Sequence, residues 1–142
     1  MASLVSNNIL ELISGADVDF DAVTFNIILM APDFTFNRVN HDEYLDLSVS
    51  ELPTAYGYTI GGVVLAGVAT TRSDLLNALL VTWNNAAWPI AGGNLQACGA
   101  VIIAASIAND PVVGFIDFGG TMTTYNGGTY TVANIALAIA GV

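Results

Sequence analysis

The chain contains no lysine. Arg38 and Arg72 are its only strong bases, His41 its only imidazole and Cys98 its only thiol. Each scarcity excludes a class of chemistry. Affinity for a phosphate backbone comes mainly from Lys and Arg neutralising phosphates. Two arginines against twelve carboxylates, a formal net charge of −10, cannot form that footprint. No nucleic-acid partner is expected. A lone cysteine forbids an intrachain disulfide, and Cys98, inside the apolar run from Ala97 to Ala105, reads as a small buried hydrophobe. A zinc site needs several His or Cys ligands, so His41 and Cys98 would have to lean on carboxylates. No metal and no cofactor is predicted.

Charge of either sign is scarce, at 10% of residues against 54% apolar; a soluble domain carries about 25% charged residues. The mean hydropathy is +0.65. Even so, the longest greasy stretches, Ala97 to Ala108 and Ile135 to Val142, fall short of the ~20 residues that cross a bilayer as a helix. Neither has flanking Lys or Arg anchors, and MASLVSNNILELIS has no cationic leader region. The expectation is a soluble chain made in the cytoplasm, with no membrane partner. A small domain has much surface for its volume, and few charges here can cover it. Permanent assembly, with itself or with a lattice, is expected to hide the remainder.

What is present is strand periodicity. At 142 residues the chain is one domain, 1–142. Its first segment (1–15) is read as a short helix, Ser6 to Ser14, capped by Ser6 or Asn7 and closed by Gly15. Such a helix must lie on the rest of the fold. Asp17 to Asp21 alternates polar and apolar. Val23 to Met30 is a stronger strand, ended by Pro32 and Asp33. Asn40 to Ser50 suggests one helical turn, with Asn40 as its cap, running into loop. From Tyr56 on, strand and turn repeat: Val63 to Thr71, Leu79 to Trp83, Gln96 to Ala105, Val112 to Phe118 and Thr129 to Ile139. Gly119-Gly120 and Asn126-Gly127-Gly128 bracket the last connection. In the final strand Thr131, Ala133, Ile135, Leu137 and Ile139 share one face. Seven or so short strands with short turns predict an all-β chain, an antiparallel β-sandwich or barrel.

Candidate chemistry is sparse. Asp17, Asp19 and Asp21 begin like a calcium loop, but the places for its glycine and glutamate hold Ala22 and Ile28. A looser calcium site stands against a charged strand edge that discourages pairing, and the edge is preferred. His41-Asp42-Glu43 sets a base beside carboxylates, with no marked nucleophile and no G-x-S-x-G elbow. No catalytic residue is assigned, and an enzyme is not expected. Trp83, Trp88, Tyr56, Tyr58, Tyr125 and Tyr130 are either a sugar-stacking face or core plugs and interface anchors.

Taken in order, Val18-Asp19-Phe20-Asp21 leading into FNIILMAPDFTFN, then AYGYTIGGVVLAGVA, LLVTWNNAAW, ACGAVIIA, VVGFIDFGG and NGGTYTVA form a succession. It resembles a group of small tailed-bacteriophage virion proteins that includes capsid cement (decoration) proteins. The likeness runs from about Asp17 to Ala133. It implies a jelly-roll-like β-sandwich that binds the outer surface of a capsid shell, with the major capsid protein as partner and a dimer or trimer as its own state. No site residues carry over, because cementing uses a broad surface. The chain departs from the group in its lack of lysine and its apolar tail, Ile135 to Val142. The alternative is a tail- or head-fibre module binding host glycans; a small hydrolase built on His41 is a third reading.

Overall fold

The computed structural model describes residues 2–15 and 19–140. It is mostly β, with antiparallel sheets and one short α-helix. The strands in chain order are β1 (Ala2–Val5), β2 (Phe25–Met30), β3 (Val63–Val64), β4 (Ala69–Ser73), β5 (Ala78–Thr82), β6 (Ala86–Pro89), β7 (Leu95–Ala104), β8 (Val112–Thr124), β9 (Thr129–Val132) and β10 (Ala136–Ala140). Helix α1 (Asn7–Ser14) follows β1.

Five strands form the main sheet in the order β1-β8-β7-β2-β3; β10-β5-β4 and β6-β9 are smaller sheets. The central strands β2 and β7 are buried on both faces, which is why FNIILM and AVIIA are nearly continuous apolar runs. One face presents Phe25, Ile27, Leu29, Ala100, Ile102 and Ile116 to a core shared with Val81, Leu137 and Ile139 of the three-stranded sheet and Trp88, Tyr130 and Val132 of the pair. The opposite face presents Ile28, Met30, Val101, Ile103 and Phe115. Leu47, Phe34, Phe36 and Tyr44, all from the irregular segment 31–53, cover it. The main sheet is thus a middle layer, with sheets on one side and an irregular segment on the other.

Helix α1 forms as expected: the Ser6 hydroxyl accepts from Asn8 N at 3.2 Å, Gly15 N donates to Glu11 O, and Ile9 is fully buried. Several other boundaries differ from the sequence reading. The chain starts with a strand, β1, paired to β8. Asp19 to Ala22 is a turn and not a strand, so the charged edge predicted from Asp17 to Asp21 is overturned over Asp19 to Asp21; Asp17 and Val18 lie outside the described residues. Asp19 Oδ1 accepts from Asp21 N at 3.0 Å, a local bond that competes with a ladder. The turn expected at Asn40 is replaced by two single-turn 3₁₀ helices, Tyr44–Asp46 and Ser48–Ser50. Asp46, not Asn40, holds the start, accepting from Asp42 N and Glu43 N at 3.0 Å each.

Two further differences are changes of face. Gly119 and Gly120, expected as a turn, lie inside β8, where Phe118 to Thr121 have no Cα partners and bulge opposite Cys98. Their φ angles of 80° and 152° are open only to glycine without strain. The last predicted strand is two. Asn134, at φ 54°, turns β9 into β10, a conformation Asn tolerates better than most residues. Consequently Ile135, Leu137 and Ile139 share the buried face as predicted, but in β9 the buried residues are Tyr130 and Val132. Ala86–Pro89, where no strand is predicted from the sequence, pairs with β9 as β6.

Candidate functional site

Of the residues singled out by sequence, His41 and Cys98 do not join in one site, whereas Trp88 packs against Tyr58 and Tyr130 inside the core, ring centroids 5.9 and 6.5 Å away. His41 lies between Phe34 and Phe36, ring centroids 5.3 and 5.7 Å away, and its Nδ1 accepts from Asn37 N at 3.0 Å. That bond places the proton of the neutral ring on Nε2 and makes His41 a brace for the covering segment. Cys98 is half-buried beside the second core, its thiol 3.6 Å from Phe34 O and pushed up in pKa, mainly by burial. Among the described residues no group of three or more His, Cys, Asp or Glu side chains could hold a metal ion. Four of the six aromatics proposed as a sugar face are core: Trp83, Trp88, Tyr58 and Tyr130 are buried. Tyr56 and Tyr125 remain exposed, at 48% and 69%.

The most concentrated polar chemistry centres on Glu51, which no motif marked. Its side chain is buried, yet Tyr58 Oη donates to Oε1 at 2.6 Å, Gly61 N donates to the same oxygen at 2.7 Å, and Tyr44 Oη donates to Oε2. Tyr58 Oη in turn accepts from Leu29 N of β2 at 3.1 Å. The carboxylate therefore ties three places together: the first 3₁₀ turn, the Tyr58–Gly61 loop and the middle of the main sheet. Burial, reinforced by the bond to Glu51 and its charge, pushes the Tyr44 hydroxyl up to about 12 and raises Tyr58 further. Protonated tyrosines donating to a carboxylate are what a buried anion needs to stay charged. The arrangement is a clasp. A sequence signal existed, since Tyr44, Glu51 and Tyr58 are spaced by seven residues, but that spacing is meaningful only once the loops fold back.

The distribution of charge is the other property with functional content. Nine of the twelve carboxylates lie at or before Glu51, and there is no charged residue between Asp74 and Asp110 or after Asp117. Folding turns this into two sides. The segment 31–53, over one face of the main sheet, carries Asp33, Asp42, Glu43 and Asp46. Beyond the other face lies the sheet β10-β5-β4, whose inner residues Val81, Leu137 and Ile139 fill the core. By register, its outer rows are Ala136–Thr82–Ala69 and Ala138–Leu80–Thr71, with Ala78–Ser73 beyond. No charged residue stands in them. At the hairpin end, Leu75 and Leu76 are exposed, and Arg72 pairs with Asp74 at 2.8 Å in full solvent. At the opposite end a concavity of about 730 Å³ is lined chiefly by Thr82, Asn84, Asn85 and Asn134, again uncharged.

Among the described residues no helix is long and apolar enough to cross a membrane. No protein-family model, no curated protein and no solved structure matches the chain.

Proposed function

We propose that this chain is a structural protein of a tailed-phage virion, a cement protein that binds the outer surface of the capsid shell. The observation that carries the reading is the two-sided surface: on one side a sheet whose outer rows hold no charged residue, with the Arg72–Asp74 pair confined to its hairpin end, and on the other an acidic segment. An interface core is depleted in charge, because a buried charge without a partner costs far more than a methyl or hydroxyl group. The sheet β10-β5-β4 suits that role. The acidic side suits solvent, where net charge keeps copies apart. Such a protein needs no catalytic residue, no metal and no cofactor, and its partners are the major capsid protein and itself, as a dimer or trimer. Many copies of one modest contact on a shell add up through multivalency.

The same reading extends the fold to a jelly-roll-like sandwich. The long-range pairs β2–β7 and β6–β9 favour Greek-key connections, whereas β4–β5 and β7–β8 are plain hairpins. Shells lacking the protein provide the test. Purified protein should sediment with them and restore their resistance to heat or chelators; failure to bind shells ends the proposal.

A further inference from the structure

Tyr56 is held in a conformation that a tyrosine ordinarily avoids. Ala55 and Tyr58 exchange both backbone hydrogen bonds, at 3.0 and 2.9 Å, so Tyr56 and Gly57 are the two central residues of a tight hairpin. Their φ angles are 57° and 101°. Asn, Asp or Gly is the unstrained choice at the first of these positions, and a bulky residue with positive φ is an outlier. The strained turn is fixed from outside as well, because Ala91 N donates to Tyr56 O at 3.1 Å. The ring itself rests on Gly93, where a Cβ would fall 2.4 Å from it, yet 48% of the residue stays exposed. Strain of this kind persists where the surroundings over-determine it, and it concentrates at binding sites.

A second loop joins the same segment. Asn126 Oδ1 accepts from Gly92 N at 3.1 Å, and Asn94 Oδ1 accepts from Asn126 N at 3.0 Å. Both carboxamide oxygens are thereby committed, and the Nδ2 groups of these two exposed residues are the side-chain atoms that serve as donors. The neighbouring Tyr125 is 69% exposed. None of the residues 52–62, 89–95 or 124–129 is charged.

We infer that this loop tip binds a neutral carbohydrate, with Tyr56 as the stacking platform and Asn94 and Asn126 as hydroxyl-recognising donors. A rigid tyrosine gives aromatic area at small cost in conformational entropy, and a pyranose offers it a face of C–H groups with hydroxyls at the rim for the amides. Charge decides the class: a chain of net charge −10 with no cation in these loops repels sialylated or uronic-acid glycans. The site is independent of the shell-binding reading, since its residues lie outside β10-β5-β4.

The experiment is an array of neutral and acidic oligosaccharides, followed by titration of the intact protein with the neutral hits. Tyr56→Asn puts a residue that prefers positive φ in place of the ring. It should weaken neutral-glycan binding at least tenfold while the thermal midpoint stays level or rises, and Tyr125→Ala should weaken binding without unfolding. Binding of shells by Tyr56→Asn should match the parent protein. The inference is overturned if no neutral oligosaccharide binds, if acidic ones bind equally well, or if binding survives Tyr56→Asn. Loss of shell binding in that variant would make the tip a protein contact and also overturn it, leaving the capsid reading standing.

Discussion

Glu51 shows how much one side chain can organise. Three donors converge on its carboxylate, and hydrogen bonds to a charged group contribute about 1.5–3 kcal/mol each. Glu51→Ala strands those donors and should cost about 3–5 kcal/mol in urea unfolding. Glu51→Gln keeps one accepting oxygen for Tyr58 and Gly61, so about 1–2 kcal/mol is expected; equal losses would show that the carboxylate is not the hub. The tyrosines give a pH test with a definite sign. Tyr44 and Tyr130 are pushed up to about 12, in both cases chiefly by burial, and Tyr58 is raised more. The folded state holds these protons more tightly than the unfolded state, whose tyrosines titrate near 10. The stability they contribute is therefore fully present below pH 10 and is lost as pH rises through 12, with a slope of at most ~1.4 kcal/mol per pH unit for each tyrosine. Denaturation followed from pH 8 to 12 should show that alkaline fall, and Tyr58→Phe should flatten it.

At the scale of elements, the N-terminal arm closes an edge that the main sheet would otherwise leave open. β1 pairs with β8 from Ala2↔Asp117 to Val5↔Gly114, and Arg38 Nε donates to Val5 O at 2.7 Å. Deleting residues 1–5 exposes the backbone edge of β8, a template for aggregation. The truncated protein should unfold at lower temperature and scatter light in a concentration-dependent way; a monodisperse, equally stable truncation would contradict this. Ser6→Ala, which removes the cap of α1 and the hydroxyl's 3.4 Å bond to His41 O, should cost about 1–2 kcal/mol. β1 was not legible in MASLV because four residues carry too little periodicity, and its pairing partner lies more than a hundred residues away. Helix α1 was legible because its cap and its apolar face are local.

For the whole molecule, the consequence to test is the two-sided surface. Thr71→Glu sets a carboxylate at the β4 end of the outer row Ala138–Leu80–Thr71, at an exposed position. It should leave stability within about 0.5 kcal/mol and lower self-association and shell binding together. Sedimentation at matched concentration checks both. Because each copy carries net charge −10, self-association of the parent protein should strengthen as salt rises from 0.01 M, where the screening length is about 30 Å, to 0.15 M, where it is about 8 Å. Weakening over that range would mean that ion pairs, not uncharged surface, hold copies together.

By itself, the sequence determined the class of the fold, the FNIILM and AVIIA strands, the capped helix and the surplus of acid. These follow from local periodicity and composition, which act over a few residues. Only the tertiary structure decided which aromatics remain outside, that Glu51 gathers Tyr44, Tyr58 and Gly61, and that Asp33, Asp42, Glu43 and Asp46 lie across the main sheet from the uncharged outer rows of β10-β5-β4. The bulge at Gly119-Gly120 and the turn at Asn134 each reverse which residues face the core. A parity change of that kind is set by the register between distant strands, and no window of neighbouring residues contains it.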